Sequence, residues 1–402
     1  MKSTVLKSLA LSGLLAASSQ GFSLYDTAPP IGIPESQAMQ YGAYMSAGYD
    51  SNLNNTSNAD REDGGFVKYG LTANYADYES ASKKRLSARL GGQLYNKTAN
   101  GTDQRNFSDM SISGSLSHSF SAGSSYTGSM SLSYTPNPDY SNGISSANTQ
   151  GDCFSWNFSS AYSRMIDCRW SWTANVSYNG NIYTDSQYEQ DDRNYLSGGL
   201  SLNLRQTTRT TYGLNMTWRN EGRSEGYDSD SFFTNVSISH SLSPTDSFSL
   251  SVGTQTKWIE GDTSLYPTLD FSYRRVLTQG LSANVYVRYS NENVDTYMRA
   301  GNVNYRSNET WRAGFNVNYV FTPTVSFNGG ASILSSNYTE GTNGGANRDD
   351  MTWTLTAGMS YRFTTNLSGN LTYTYTRGDV NNYANTGHYN RDVISAGLNY
   401  TF

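Results

Sequence analysis

The sequence is poor in cysteine, proline, charge and long hydrophobic runs. It contains 2 Cys and 8 Pro in 402 residues, and 15% of the residues are charged. So few cysteines exclude a secreted domain held together by disulfides, and so few prolines exclude a proline-rich linker protein. The net charge of −5 lacks the basic excess of a nucleic-acid-binding protein, so no nucleic-acid partner is expected. Beyond the N-terminus, no segment approaches the ~20 apolar residues of a membrane-spanning helix.

Aromatic residues, by contrast, are abundant. The chain has 32 Tyr, and aromatic residues reach 13% although only 36% of the chain is hydrophobic. Low hydrophobicity can indicate disorder, but disordered chains are poor in aromatics. The composition therefore predicts aromatic side chains that are buried in, or against, an apolar phase.

The N-terminus has the pattern of a bacterial secretory signal peptide. Lys2 and Lys7 precede a short apolar segment at residues 9–17, and small residues follow it. We expect a signal peptide over residues 1–21, with cleavage between residues 19 and 23. The alternative, an N-terminal membrane anchor, needs a longer apolar run.

Apolar and polar residues alternate throughout the rest of the chain. In residues 351–363, for example, every odd position is apolar and every even position is small or polar. A period of two over this length is the signature of a two-faced β-strand. About 18 such runs occur between residues 38 and 402, connected alternately by short turns and longer polar loops. This layout predicts one antiparallel up-and-down barrel of about 18 strands, with about 16 as the nearest alternative.

Strand length and the polar face separate a membrane barrel from a soluble β-sandwich, which also alternates. These runs cover roughly 11 to 13 residues, whereas strands of soluble proteins usually cover about 5–6. Their polar face consists of Ser, Thr, Asn and Gly with few Lys or Glu, which suits an aqueous lumen. Aromatic residues concentrate at both ends of the apolar face, as in the interfacial girdles of a bilayer-spanning barrel. We therefore expect an all-β transmembrane barrel with short periplasmic turns and longer extracellular loops.

The segment SAGLNYTF at residues 395–402 alternates in the same way, with Leu398, Tyr400 and Phe402 on one face. It resembles the C-terminal strand by which the barrel-assembly machinery recognises bacterial outer-membrane proteins. Together with the strand layout, it makes the chain similar to outer-membrane β-barrels of the porin type. The resemblance implies a bacterial outer-membrane protein in contact with lipid and lipopolysaccharide, without a cofactor. The expected domains are the signal peptide at 1–21, a short periplasmic segment at 22–37 and the barrel at 38–402.

Few residues suit catalysis, for which histidine is the usual general base. His118 and His240 fall on apolar faces at strand ends, where a hydrogen-bonded interfacial histidine is the simpler interpretation. His388 lies in an expected loop near Asp379 and Asp392, but no nucleophile motif such as G-x-S-x-G accompanies it. We expect no catalytic residues and a protein that is not an enzyme.

Carboxylates cluster in several expected loops and could bind Ca²⁺ loosely. No cluster has the spacing of an EF-hand loop, and a solvated acidic surface is the preferred interpretation. We therefore expect no metal site. The clusters are Asp60, Glu62 and Asp63; Glu189, Asp191 and Asp192; Asp228 and Asp230; and Asp349 and Asp350.

A barrel of this size leaves an aqueous channel unless a loop folds inward. We expect passive diffusion of small polar solutes through the lumen, with residues 292–309, the longest expected loop, as the candidate constriction. The alternative is a closed structural or adhesive barrel whose extracellular loops bind a partner or a surface polysaccharide. A conductance measurement would separate the two hypotheses, because no sequence feature does.

The alternation also assigns charged residues to the lumen. Rings of cations favour anions, so a basic patch near the loop ends predicts a weakly anion-selective pore. The alternative is that these cations pair with loop carboxylates that fold inward. The predicted patch, at one level of the pore, is Lys68, Arg219, Lys257, Arg288 and Arg312. The other predicted lumen charges are Arg89, Asp109, Arg205, Asp270, Arg274 and Arg362.

The two cysteines should lie at opposite ends of one hairpin. Cys153 is expected to begin one strand at its loop end and to face about residue 179, and Cys168 is expected to begin the next strand at the turn end. Their Cα atoms would then exceed the ~7 Å limit for a disulfide. Two free thiols are expected.

Overall fold

Eighteen antiparallel strands form one closed sheet in the computed structural model of the chain. The structure describes residues 39–52, 63–79, 81–96, 105–135, 153–184, 192–224, 228–292, 305–341, 347–381 and 386–402. Numbered β1 to β18 in chain order, the strands are Met39–Asp50, Gly64–Tyr78, Ser82–Tyr95, Arg105–Ser121, Ser124–Thr135, Cys153–Met165, Trp170–Tyr183, Arg193–Arg205, Thr210–Arg223, Ser229–Ser241, Asp246–Ile259, Asp262–Val276, Leu281–Glu292, Tyr305–Thr322, Val325–Gly341, Arg348–Arg362, Leu367–Asn381 and Thr386–Thr401. Within these ranges no helix is long and apolar enough to cross a membrane. The predicted signal peptide and the 22–37 segment lie outside the described residues.

The barrel closes because its first and last strands pair. Met45 on β1 lies opposite Leu398 on β18, and the antiparallel register continues to Asp50 and Val393. Every other strand pairs with its neighbours in the sequence. Closure satisfies the backbone groups that an open sheet edge would expose to hydrocarbon. The prediction of an all-β barrel with about 18 strands is confirmed.

Two kinds of connection define the two ends of the barrel. At one end, called the turn end, short segments such as 122–123, 206–209 and 323–324 join the strands. Side-chain oxygens hold several of these turns: the Asp167 carboxylate accepts hydrogen bonds of 2.7 Å from the N–H groups of Arg169 and Trp170. These backbone donors lower the pKa of Asp167. The opposite end, called the loop end, carries the longer connections.

One loop-end connection is as short as a turn. Glu260 and Gly261 join β11 to β12 and have φ angles of 50° and 91°. Positive φ at both central residues is the geometry of a two-residue hairpin that matches the right-handed strand twist.

Several strands extend further towards the loop end than the alternation predicts. β14 and β15 remain paired up to Tyr305 and Gly341, so β14 begins inside the expected loop 292–309. The backbone ladder continues there although the apolar–polar pattern has ended. Charged residues assigned to loops, such as Glu292 and Asp350, therefore belong to the barrel wall.

The outer face of the barrel is apolar and its inner face polar. On β16, Leu355 points outward and is 48% exposed, whereas Thr354 and Thr356 point inward. Outward-facing aromatic residues lie at both ends of the strands, and Tyr361 and Phe363 contact each other with ring centroids 4.7 Å apart. An apolar exterior between aromatic girdles defines a transmembrane barrel.

Both cysteines are free thiols, as expected. The hairpin register differs from the prediction, because Cys153 faces Tyr183 and not residue 179. The turn occupies residues 166–169, where the Asp167 carboxylate holds the backbone, and Cys168 lies exposed within it instead of beginning β7, which starts at Trp170. The alternation alone placed the centre of this hairpin too early in the chain.

Candidate functional site

The inner face of the barrel is lined by hydroxyl and amide side chains. Pairs on adjacent strands bind each other across the sheet, as in Ser129–Ser159 at 2.6 Å and Ser177–Ser197 at 2.7 Å. Such cross-strand hydrogen bonds stabilise the sheet and leave a surface that water wets. This lumen is the candidate functional site.

Arg89 and Asp109 meet on the inner wall formed by β1 to β4. Their side chains form an ion pair of 3.0 Å, and the Arg89 guanidinium lies 4.0 Å from the centroid of the Tyr44 ring. Tyr44 packs on Gly70 and Gly91, where a Cβ atom would lie 2.6 Å and 2.2 Å from its hydroxyl oxygen. The two glycines are required because no larger residue leaves room for this ring.

A second ion pair closes the seam between β18 and β1. The Arg391 guanidinium binds the Asp50 carboxylate through Nη2 at 2.5 Å and through Nε at 3.0 Å. Asp50 is 3% exposed. A bidentate pair of this kind fixes both groups strongly and links the first strand to the last. Neither residue is among the lumen charges predicted from the sequence.

Acids on neighbouring strands accompany two of the five residues of the predicted basic patch. Arg312 binds Glu292 at 2.5 Å, and Arg288 lies 3.6 Å from Asp270. Glu292 was not predicted to face the lumen, because the alternation assigned its position to the expected loop 292–309. Arg288 and Arg312 therefore do not belong to a free basic patch. Their carboxylate partners lie on strands, whereas the alternative hypothesis placed such partners on loops that fold inward.

The five patch residues also do not form one cluster. Arg219 and Lys257 share a register row through Ser231. Lys68 lies on β2, halfway round the 18-stranded sheet from Lys257 on β11. Aromatic rings accompany some of these cations: Arg219 lies 5.4 Å from the Phe233 centroid and Lys68 lies 5.8 Å from that of Phe66.

The Lys257 side chain on β11 reaches past β12, on the lumen side of the sheet, to β13. It is 2% exposed and donates a 3.0 Å hydrogen bond to Asn291, which in turn donates to Ser307 at 2.7 Å. Towards the loop end, the pairing of β12 with β13 ends at Leu269 and Tyr289. Pro267, two residues nearer the loop end on β12, has no N–H to donate to a ladder. The loop-end part of the β13–β14 hairpin therefore leans inward, where inward-facing Lys257 reaches it.

The remaining predicted lumen charges lie at the turn end. Arg205, Arg274 and Arg362 point inward and face Thr211, Asn284 and Ser368 on their neighbouring strands. Arg274 and Arg362 are exposed. Within the described strands, ion pairs such as Arg312–Glu292 lie towards the loop end, and these three arginines lie towards the turn end.

The histidines show no catalytic arrangement. His118 and His240 point outward at the turn end and share hydrogen bonds of 2.6 Å with Ser82 and 2.8 Å with Thr210. His388 lies opposite Asp379 on β17, on the outer face. Within the described ranges, no group of His, Cys, Asp or Glu could hold a metal ion. Asp60, Glu62, Glu189 and Asp191, and most of the expected constriction at 292–309, lie outside those ranges.

Comparisons with known proteins give structural likeness only. No protein-family model and no curated protein match the chain. OccK2 from Pseudomonas aeruginosa is similar over 90% of this chain and 98% of its own, at 10% identity and a TM-score of 0.49, and OccK2 also has a solved complex with glucuronate. The siderophore receptor PirA from Acinetobacter baumannii is similar over 92% of this chain and 81% of its own, at 7% identity and a TM-score of 0.47. No conclusion on function follows from likenesses this low.

Proposed function

We propose that the chain is a bacterial outer-membrane channel for the passive diffusion of small polar solutes. The observation that carries this proposal is the closed 18-stranded barrel with an apolar exterior and a lumen of hydroxyl and amide groups. Barrels of about 16–18 strands are wide enough to leave an aqueous channel. Hydroxyl and amide groups exchange hydrogen bonds with passing solutes at little cost.

The turn end would face the periplasm and the loop end the outside of the cell. Outer-membrane barrels have short periplasmic turns and longer extracellular loops. Leu398 and Tyr400 point outward on β18, and exposed Phe402 follows the strand directly. We propose these three residues as the signal that the barrel-assembly machinery reads. Lipopolysaccharide would then contact the loop-end girdle of the barrel.

Weak anion selectivity is part of this proposal. On the described strands, inward-facing Lys and Arg outnumber inward-facing Asp and Glu, so this part of the wall carries more positive than negative side chains. Positive charge along a pore favours anions, and salt weakens the preference by screening.

One observation favours a second candidate, a closed barrel whose loops bind a partner. Polar residues that face the lumen near the loop end are almost fully buried, among them Gln255, Asp350 and Tyr338 at 1–2% exposure. Protein packs around these side chains, which narrows this end of the barrel. A complete seal there would leave the exposed loops as the functional surface.

Single-channel conductance in planar bilayers separates the two candidates. An open channel gives regular steps of conductance that scale with salt concentration. A sealed barrel gives no steps, even when the protein is folded. Swelling of protein-loaded liposomes in neutral sugars of increasing size then gives the width of the lumen. Absence of both signals from folded protein would overturn the channel and support the closed barrel.

A further inference from the structure

The wall of the barrel is interrupted between β12 and β13 towards the loop end. The ladder between the two strands ends at Leu269 and Tyr289, although β12 itself reaches back to Asp262 and β13 continues to Glu292. On the described strands, residues 263–268 are therefore paired on the β11 side only. This interruption is called the β12–β13 gap.

The sequence explains why the ladder stops where it does. Residues of an antiparallel strand bond alternately to one neighbour and to the other. On β12 the even-numbered residues bond towards β11, as the Val276 N–H does to the Thr245 oxygen at 2.8 Å, so odd-numbered residues bond towards β13. The position on this edge after Leu269 is Pro267, which would lie opposite Asn291 but has no N–H to donate.

Beyond the last pair, β13 is displaced towards the lumen. Asn291 has the same parity as outward-facing Val285, which is 43% exposed. Asn291 is nevertheless 3% exposed and accepts its hydrogen bond from inward-facing Lys257 on β11. A side chain from the outer face of β13 thus meets the inner face of β11, so the two edges of the gap lie at different depths in the wall.

The gap has an apolar outer rim and a polar inner rim. Outside, Leu265 is 67% exposed, and the rings of Tyr289 and Trp311 lie 4.7 Å apart in the loop-end girdle. Inside, the Thr268 hydroxyl donates a 2.6 Å hydrogen bond to the Asn235 side chain. An unpaired strand edge is not tolerated in hydrocarbon unless it is buried in protein or lines a water-filled cavity. At the level of the girdle, this edge therefore requires a polar passage beside it.

We propose that the β12–β13 gap is a lateral portal through which single-chain amphiphiles pass between the outer leaflet and the lumen. The hydrocarbon tail of such a molecule suits Leu265, Tyr289 and Trp311, and its polar group suits Thr268 and the hydroxyl and amide wall behind it. The backbone groups on the edge of residues 263–267 can bind water or the same polar group. This passage differs from diffusion along the barrel axis and does not require the channel to conduct.

A thiol on the inner rim of the gap tests the portal. The Thr268→Cys variant is reconstituted in phosphatidylcholine vesicles and treated with hexadecyl maleimide, which is itself a single-chain amphiphile confined to the bilayer, or with a water-soluble sulfonated maleimide. The matched control is Thr217→Cys, because Thr217 also faces the lumen, lies level with Tyr266 by register, and has an unbroken ladder on both sides. Folding is checked by the electrophoretic shift on heating, and mass spectrometry of the peptide that carries the introduced thiol gives both labelling rates.

The ratio of the two rates is compared between positions, which removes differences in thiol reactivity. We expect a ratio of alkyl to soluble labelling at least about tenfold higher for Thr268→Cys than for Thr217→Cys, because an unbroken wall excludes the alkyl reagent. Ser290→Cys, on the facing edge of β13, should behave like Thr268→Cys and serves in its place if that variant does not fold. Equal ratios at the rim and at the control would overturn the portal and leave the proposed channel untouched, since labelling does not depend on conductance.

Discussion

Lys257 on β11 and Asn291 on β13 are joined by a 3.0 Å hydrogen bond, although β12 lies between their strands in the sheet. The contact is possible because the loop-end part of β13 has left the ladder with β12 and leans over the lumen. Lys257 thus holds this segment of β13 against the inner face of β11.

Replacing Lys257 with Met should widen the channel. The substitution keeps the length of the side chain but removes the charge and the donor that hold Asn291. We expect larger single-channel conductance and passage of larger sugars in liposome swelling. Lys84→Met, at the outer face of the turn end, is the control, and equal conductance in both variants would contradict this role of Lys257.

Replacing Asp50 with Asn should destabilise the seam of the barrel. Removal of one partner from a largely buried ion pair costs about 3 kcal/mol, because the Arg391 guanidinium, 20% exposed, is left unneutralised. Chemical unfolding in lipid vesicles, followed by tryptophan fluorescence, measures the change. Asp379→Asn breaks the more exposed pair with Arg377 and should cost no more than about 1 kcal/mol. Similar losses in the two variants would remove the special role of the seam pair.

Gly91→Ala should destabilise the wall formed by β1 to β4. The new methyl group would lie 2.2 Å from the Tyr44 hydroxyl oxygen and 2.2 Å from the Tyr69 carbonyl oxygen. Overpacking of this kind costs about 1–3 kcal/mol in the free energy of unfolding. Gly198→Ala on β8 is the control, since only one atom lies near its Cβ position, at 3.9 Å. Unchanged stability of Gly91→Ala would show that Tyr44 moves away freely.

Arginine should be tolerated on one face of a strand and not on the other. Leu200 and Leu355 point outward, so Arg at either position places a charge in lipid and costs ~2–4 kcal/mol. The same change at the inward-facing neighbours Ser201 and Thr354 should cost much less, because the lumen is polar. Unfolding in vesicles gives both values, and equal costs on the two faces would contradict the assignment of the outer face to lipid.

The two cysteines should differ in reactivity towards a maleimide reagent. Cys168 is exposed in the turn between β6 and β7, whereas Cys153 is completely buried. Mass spectrometry of the native protein should find one modified thiol, at Cys168, and two after unfolding. Rapid modification of Cys153 in the folded barrel would show that the loop end opens more than the structure indicates.

Much of the architecture follows from local pattern. The alternation identified the strands, their faces and the free cysteines, because side chains in a strand point to opposite sides with a strict period of two. It failed where charged residues continue a strand: Glu292 and Asp350 read as loop residues, yet the backbone ladder includes them. It also placed Cys153 opposite residue 179 and not Tyr183, since turn chemistry sets the register.

The amino-acid sequence by itself determined that the chain is a barrel with an apolar exterior and a polar lumen, since both follow from composition and a period of two. It also determined the inward direction of several charged side chains, such as Arg89 and Asp109, but not of Asp50, Arg391 or Glu292. Only the tertiary structure decided which of these charges are neutralised. Arg391 and Asp50 lie far apart in the chain, and the barrel places them in contact only by closing β18 on β1. Such pairs depend on closure and register across many strands, which no local pattern encodes.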